Sequence, residues 1–237
     1  MRIGLTGAHR TGKSALARRV AGKMGIDFIA SPVSAIAKRY GFDMDQDRRH
    51  SPEFFIMQCE ILDTLEKSFE GLSSFVADRT PIDAAAYLIA DVQANTGDEK
   101  FQQAVLRYVD RAIAATERLF DVVILLPPAI EFDPVDGKPG ANLAYQEHHH
   151  LVCRGLHADL NIKAGRIQRD NTDMDNRVAS VMHYVRPSAP FVVTFGEAKL
   201  SPKFAQALAA ACEHGVTEAR CDDCYGTGLL RGQRSAA

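Results

Sequence analysis

The sequence has no stretch of about 18 consecutive apolar residues, so no transmembrane helix is expected. It has no surplus of positive charge: 28 Lys and Arg stand against 30 Asp and Glu, a formal net charge of −2. A protein devoted to gripping nucleic acid carries a basic face. Nucleic acid is therefore not the favoured partner, although a local patch stays open. Cysteine is sparse, five in 237 residues, and the count is odd. Cys59, Cys153 and Cys212 fall in helical patterns, which fits reduced thiols in the cytoplasm better than a disulfide framework. There is no internal repeat and no low-complexity segment. The first residues enter an apolar run at once, so no signal peptide is expected.

The most informative stretch is Gly7-Ala8-His9-Arg10-Thr11-Gly12-Lys13-Ser14. It follows the apolar run Ile3–Thr6 and opens onto the helical pattern that begins at Ala15. The spacing is G-x-x-x-x-G-K-S, a phosphate-binding loop. Glycine permits backbone conformations closed to residues with a Cβ. The N–H groups of this stretch can then turn inward and cradle phosphate oxygens at a helix N-terminus. On this reading Gly7, His9, Arg10, Thr11, Gly12, Lys13, Ser14 and Ala15 bind the nucleotide. Lys13 reaches the β- and γ-phosphates, and the Ser14 hydroxyl holds Mg²⁺. The motif implies a nucleoside triphosphate, and leaves the acceptor of its phosphoryl group open.

With 46% hydrophobic residues the chain can bury a sizeable core. One α/β domain over 1–198, with a tail over 199–237, is the natural expectation for this length. Strands are expected over 2–6, 27–30, 74–78, 121–126 and 162–168. Helices are expected from the phosphate loop to about Met24, over 35–40, from Ser51-Pro52-Glu53 to about Phe69, from Thr80 to about Ala94, over 99–119, over 143–160 and to about Val185. The segment 41–50 reads as a polar mobile loop. Residues 129–142 read as a lid, 191–195 have strand composition, and a short helix is expected over 201–212. Strands alternating with helices predict a parallel sheet of about five strands wrapped on both faces, a three-layer sandwich.

Asp78-Arg79 is the second chemical signal. It lies at the C-terminal end of a strand, where open α/β sheets bind ligands. A carboxylate there can organise Mg²⁺ or accept the proton of an attacking hydroxyl, and a guanidinium can bridge donor and acceptor oxygens. Gln58 falls in the apolar stripe of the helix from Pro52, either as a solvated side-face residue or as an inward hydrogen-bonding group.

These pieces together resemble the P-loop nucleoside and nucleotide kinases: thymidylate kinase, the deoxynucleoside kinases and the ribosylnicotinamide-kinase-like ATPases often found in phage genomes. The matching pieces are Gly7–Ser14, Glu53–Gln58, Asp78-Arg79-Thr80, and Asp136-Gly137 ahead of Tyr145-Gln146, spread over about 2–185. The resemblance implies that ATP is the donor and Mg²⁺ the metal, bound by Ser14 and Asp78. It implies catalysis by Lys13, Asp78 and Arg79. Ser31, Gln58, Arg79, Asp83 and Lys138 would face the acceptor, with Gln58 pairing with the base through an amide that both donates and accepts.

The chain also departs from that pattern. Deoxynucleoside kinases usually carry a glutamate base at the end of the second strand, where this chain has Ser31. A monophosphate acceptor needs no such base, so a deoxynucleoside monophosphate is the expected substrate. The lid of those kinases is arginine-rich, but here 129–142 offers only Lys138. Arg166, Arg169 and Arg177 are candidates for the missing charge, although the plain expectation for each is a solvated surface residue. His148-His149-His150 with Cys153 and His157 reads as a partly exposed helix face before it reads as a metal site.

In the tail, Cys221-Asp222-Asp223-Cys224-Tyr225-Gly226-Thr227-Gly228 resembles one repeat of the zinc domain of DnaJ-type chaperones. One copy supplies two of four ligands, and Cys212 and His214 are the nearest others for Zn²⁺. A reduced disordered tail, or a site shared across a homodimer, stays open. Two further readings stand beside the nucleotide kinase: a phage-type kinase acting on a modified base in DNA, and a nucleotide-binding regulatory ATPase. There is no Asn-Lys-x-Asp guanine signature, which disfavours a GTPase.

Overall fold

The computed structural model describes residues 1–42, 52–91, 98–130 and 142–185. They belong to one unit, Met1–Val185. The elements run β1 (Arg2–Thr6), α1 (Lys13–Met24), β2 (Asp27–Ile29), α2 (Val33–Arg39), α3 (Pro52–Phe69), β3 (Phe75–Asp78), α4 (Pro81–Asp91), α5 (Glu99–Leu119), β4 (Val122–Leu125), α6 (Leu143–Ala158), β5 (Lys163–Arg166) and α7 (Met174–Val185). The sheet is wholly parallel, in the order β2-β3-β1-β4-β5. This is the expected three-layer α/β sandwich of five strands. The boundary expected at 198, the strand composition at 191–195, most of the lid, Lys138 and the tail cysteines with His214 lie outside the described residues.

Side-chain alternation along the strands sorts the core into two layers. Ile3, Leu5, Val76, Val122 and Ile124 point to the face covered by α1 and α7. Phe75, Ala77, Val123 and Leu125 point to the face covered by α2–α6. Phe69, Phe75 and Phe120 meet with ring centroids 5.0–5.6 Å apart, and burying each ring contributes about 1.5–3 kcal/mol. The central strands carry almost no polar residue because both their faces are covered.

Local signals set the helix ends. Gly25 closes α1 in the left-handed conformation, with φ 66°. Asp98 caps α5 by accepting the Lys100 and Phe101 N–H groups. Asn142 caps α6 through the Tyr145 N–H, and the Asp173 carboxylate accepts the Asn176 N–H at the start of α7. The edge strand β5 is shorter than the expected 162–168, because Lys163, Ala164 and Arg166 are exposed there.

The chain leaves β1 through α1 on one face and leaves β3 through α4 on the other. β1 and β3 are neighbours, so their C-terminal ends flank the point where the winding switches faces, the place where open α/β sheets form a crevice.

Candidate active site

The loop after β1 is shaped by its glycines. Gly7 has φ 137°, and a Cβ there would sit 2.4 Å from the Leu126 carbonyl oxygen. Gly12 has φ 80°, and Arg10 also takes a left-handed turn, with φ 58°. Thr11 braces the turn by donating its hydroxyl to the Ala8 carbonyl at 3.1 Å. α1 opens with no acidic residue in its first turn and no side-chain cap, so its positive end faces the loop unneutralised. Lys13 is 5% exposed and its Nζ donates to the Gly7 carbonyl at 2.7 Å and to the Ala8 carbonyl. Burial, helped by the Arg79 charge, lowers its pKa to about 8. Ala15 is exposed in the first turn of α1.

The turn after β3 meets this loop. Leu5 pairs with Asp78 across the sheet, and the Leu5 carbonyl accepts the Arg79 N–H at 3.1 Å. That register brings the Ser14 hydroxyl onto Asp78 Oδ2 as a hydrogen-bond donor. Arg79 then adopts φ 99°, a conformation that costs a non-glycine residue about 1–3 kcal/mol. Its side chain is held in place. Nη2 donates to the Tyr87 hydroxyl at 3.3 Å, the guanidinium lies 5.0 Å from the Tyr87 ring centroid, and Nη1 is 3.6 Å from Asp83. Burial works against the Arg79 charge, but Tyr87 and Asp83 outweigh it and raise its basicity.

Asp83, expected on the substrate side, is fully buried and turned inward. Its Oδ1 accepts the Gly7 N–H at 3.1 Å, and its Oδ2 accepts the Thr80 N–H at 2.8 Å and hydroxyl at 3.0 Å. One carboxylate thus joins the phosphate loop to the Asp78-Arg79 turn.

Helices α4 and α6 wall the loop. Gln146 Nε2 donates to the His9 carbonyl at 2.8 Å, and His9 stacks on Tyr145 at 5.9 Å. Tyr87 packs on His149 with centroids 3.8 Å apart, and His149 Nδ1 lies 3.6 Å from Cys153 Sγ. His148 is exposed while His149 and His150 are buried, so the run is partly exposed. Burial, with Arg79 and Lys13 nearby, holds His149 neutral, and burial pushes the Cys153 thiol up, so this pair is packing and not a reactive dyad. Among the described residues no cluster of three His, Cys, Asp or Glu side chains could hold a metal ion.

The remaining candidates are dispersed. Gln58 is 2% exposed on the inward face of α3, so the solvated alternative does not hold. Ser31 follows β2, and its hydroxyl accepts the Val33 N–H at 3.4 Å. Arg166 is exposed, and Arg169 pairs with Glu147 at 2.7 Å. Arg177 is not the surface charge that was expected: it is fully buried against the phosphate loop. The sequence reading missed Tyr87, whose spacing of one helical turn from Asp83 was the available signal.

Several solved structures share this fold. Deoxyadenosine kinase from M. mycoides, in a structure with products dCMP and a flexible dCDP bound, matches with a TM-score of 0.56 at 17% identity. The match covers 77% of this chain and 97% of that one. The same kinase with bound dCTP matches with a TM-score of 0.55 at 16% identity, covering 77% and 97%. The NadR protein in complex with NR matches with a TM-score of 0.55 at 17% identity; the match covers 77% of this chain and 50% of that longer one. The fold expected from the resemblance is thus the fold observed. No protein-family model and no curated protein matches the sequence. Among the described residues no helix is long and apolar enough to cross a membrane.

Proposed function

We propose that the chain is an ATP-dependent phosphotransferase acting on a nucleoside or nucleotide, in particular a deoxynucleoside monophosphate. The observation that carries this reading is the hydrogen bond between Ser14 and Asp78, which joins the phosphate loop to the acid-arginine turn, with Lys13 buried and Arg79 half-buried beside it. Phosphoryl transfer is mostly positioning and charge neutralisation, and these groups provide both. The loop N–H groups and the open end of α1 bind the triphosphate. Lys13 moves its ammonium from the loop carbonyls to the phosphates. Arg79, held in a fixed pose by Tyr87 and Asp83, spans donor and acceptor oxygens.

The oxygen donors of Ser14 and Asp78 suit Mg²⁺, a hard cation that takes one or two protein oxygens together with substrate phosphates. When bound, the ion neutralises charge on the transferring group. Ser31 supports a monophosphate acceptor. Position 31 itself carries no carboxylate to activate a hydroxyl, and a phosphate oxygen is already an anionic nucleophile. Gln58 offers its amide to a base edge. The dCMP and dCDP held by the M. mycoides kinase support the deoxynucleotide class.

The test is ADP release by the full chain with ATP, Mg²⁺ and a panel of deoxynucleosides, deoxynucleoside monophosphates, ribonucleotides and oligonucleotides. The expected result is turnover with one or more deoxynucleoside monophosphates and formation of the diphosphate. ATP hydrolysis that no acceptor stimulates would overturn the reading. Transfer to an oligonucleotide alone would favour the DNA-directed alternative.

A further inference from the structure

Arg177 lies in α7, far in sequence from the phosphate loop, and is fully buried. A guanidinium keeps its charge at any ordinary pH, so a buried arginine normally has a carboxylate partner. Here its contacts are backbone carbonyls. Nε donates to the Asn171 carbonyl at 2.7 Å and Nη1 to the Thr11 carbonyl at 2.8 Å. Nη2 is buried with no hydrogen-bond partner among the described residues. Burial lowers the basicity of the group, and among the described residues no neighbouring charge opposes that effect. Leaving a charge in this state costs free energy that packing alone does not require.

The contact with Thr11 has a geometric consequence. In a trans peptide the C=O and the following N–H point in opposite directions. A Thr11 carbonyl tied to Arg177 therefore turns the Gly12 N–H away from Arg177. Gly12 is a neighbour of the guanidinium as well, since a Cβ on it would lie 3.4 Å from Arg177 Nη1, an ordinary contact distance. We propose that Arg177 is a positioning residue of the donor site: it orients the Thr11-Gly12 peptide so that its N–H meets the polyphosphate, and its charge behind the loop is balanced when the polyphosphate binds. This rests on the reading of the loop as a triphosphate site.

Calorimetric titration of the full chain with ATP and with inorganic tripolyphosphate separates the possibilities. R177M should raise Kd for both probes by about tenfold or more, as expected for loss of a charge-assisted contact, and should leave the acceptor KM unchanged. R177K keeps the charge and loses the fork, and should fall between R177M and wild type. A folded R177M that binds tripolyphosphate within about twofold of wild type overturns the proposal, as does a loss seen with ATP alone. If R177M does not fold, R177K decides by the same criterion. Wild-type protein that binds neither probe overturns the donor-site reading itself, a result distinct from variants that bind as wild type does.

Discussion

The proposed donor and acceptor halves of the site are built differently. The donor half is one contiguous segment whose chemistry resides in the backbone: Gly7 and Gly12 set the dihedrals, and the helix start supplies N–H groups. The proposed acceptor half draws on side chains from separate elements, Ser31 after β2, Gln58 on α3, and Asp78 and Arg79 after β3. A backbone site tolerates many side-chain changes and fails sharply at a few positions. A side-chain site degrades by degrees and can be retuned. The substitutions that follow probe that contrast.

The sharpest loss should come from Lys13→Ala. It removes a buried cation poised over the loop, and loss of one preorganised electrostatic group costs about 10²–10³-fold in kcat. The circular dichroism spectrum should be unchanged, and retained turnover would remove Lys13 from the mechanism.

Next is Asp83→Ala, which cuts the link between the two halves. It leaves the Gly7 and Thr80 N–H groups and Arg79 without their buried acceptor, a loss of about 3 kcal/mol in unfolding free energy. Both the ATP and the acceptor KM should rise together. A rise in only one of them would mean that the carboxylate serves one half alone. Asp78→Asn should act within the chemistry, lowering kcat by about 10²-fold with little change in ATP affinity. An unchanged kcat would place Asp78 outside the site.

A pH titration sharpens the same contrast on the donor side. Lys13 has a pKa of about 8 in the folded chain, below the ordinary 10.5. Between those values the unfolded chain binds more protons, so the stability of the nucleotide-free protein should rise with pH through that window. Phosphate binding needs the charged amine, so ATP affinity should fall above about pH 8, approaching tenfold per pH unit. Opposite slopes in thermal unfolding and in ATP titration would identify Lys13, and Lys13→Ala should flatten both. Parallel slopes would point to another group.

The contrast also explains what could be read from the sequence. The loop was legible because its eight positions are contiguous and four of them, Gly7, Gly12, Lys13 and Ser14, carry a conformational or chemical requirement at fixed spacing. The sheet was legible because strands covered on both faces read as apolar runs, such as Val122–Leu125. Asp78-Arg79 stood out at a strand end. Arg177 did not, since its partner Thr11 is 166 residues away and a buried arginine has the same local pattern as a solvated one. Asp83 was visible as a helix-start acid, but only the fold decides that its oxygens turn toward Gly7 and Thr80 instead of a ligand. The His148–His150 run read as a partly exposed face, but the pattern did not say which histidine turns inward; packing against Tyr87 buries His149.

The smallest and most selective effect is expected at Gln58. This residue shares the inward face of α3 with Phe54, Met57, Ile61 and Leu62, and it is the polar member of that stripe. Burying an amide among apolar side chains is unfavourable unless it has a polar partner. A leucine at this position would suit the helix and the core equally well, so Gln58→Leu should leave stability unchanged or improve it. If the amide reads a base, the variant leaves the polar edge of that base unpaired, a penalty of about 1–3 kcal/mol that falls unequally on different bases. The kcat/KM values for the four deoxynucleoside monophosphates should then change rank, while the KM for ATP stays as in wild type. An unaltered rank order, together with the gain in stability, would make Gln58 a core residue and leave base recognition to other side chains of the acceptor half.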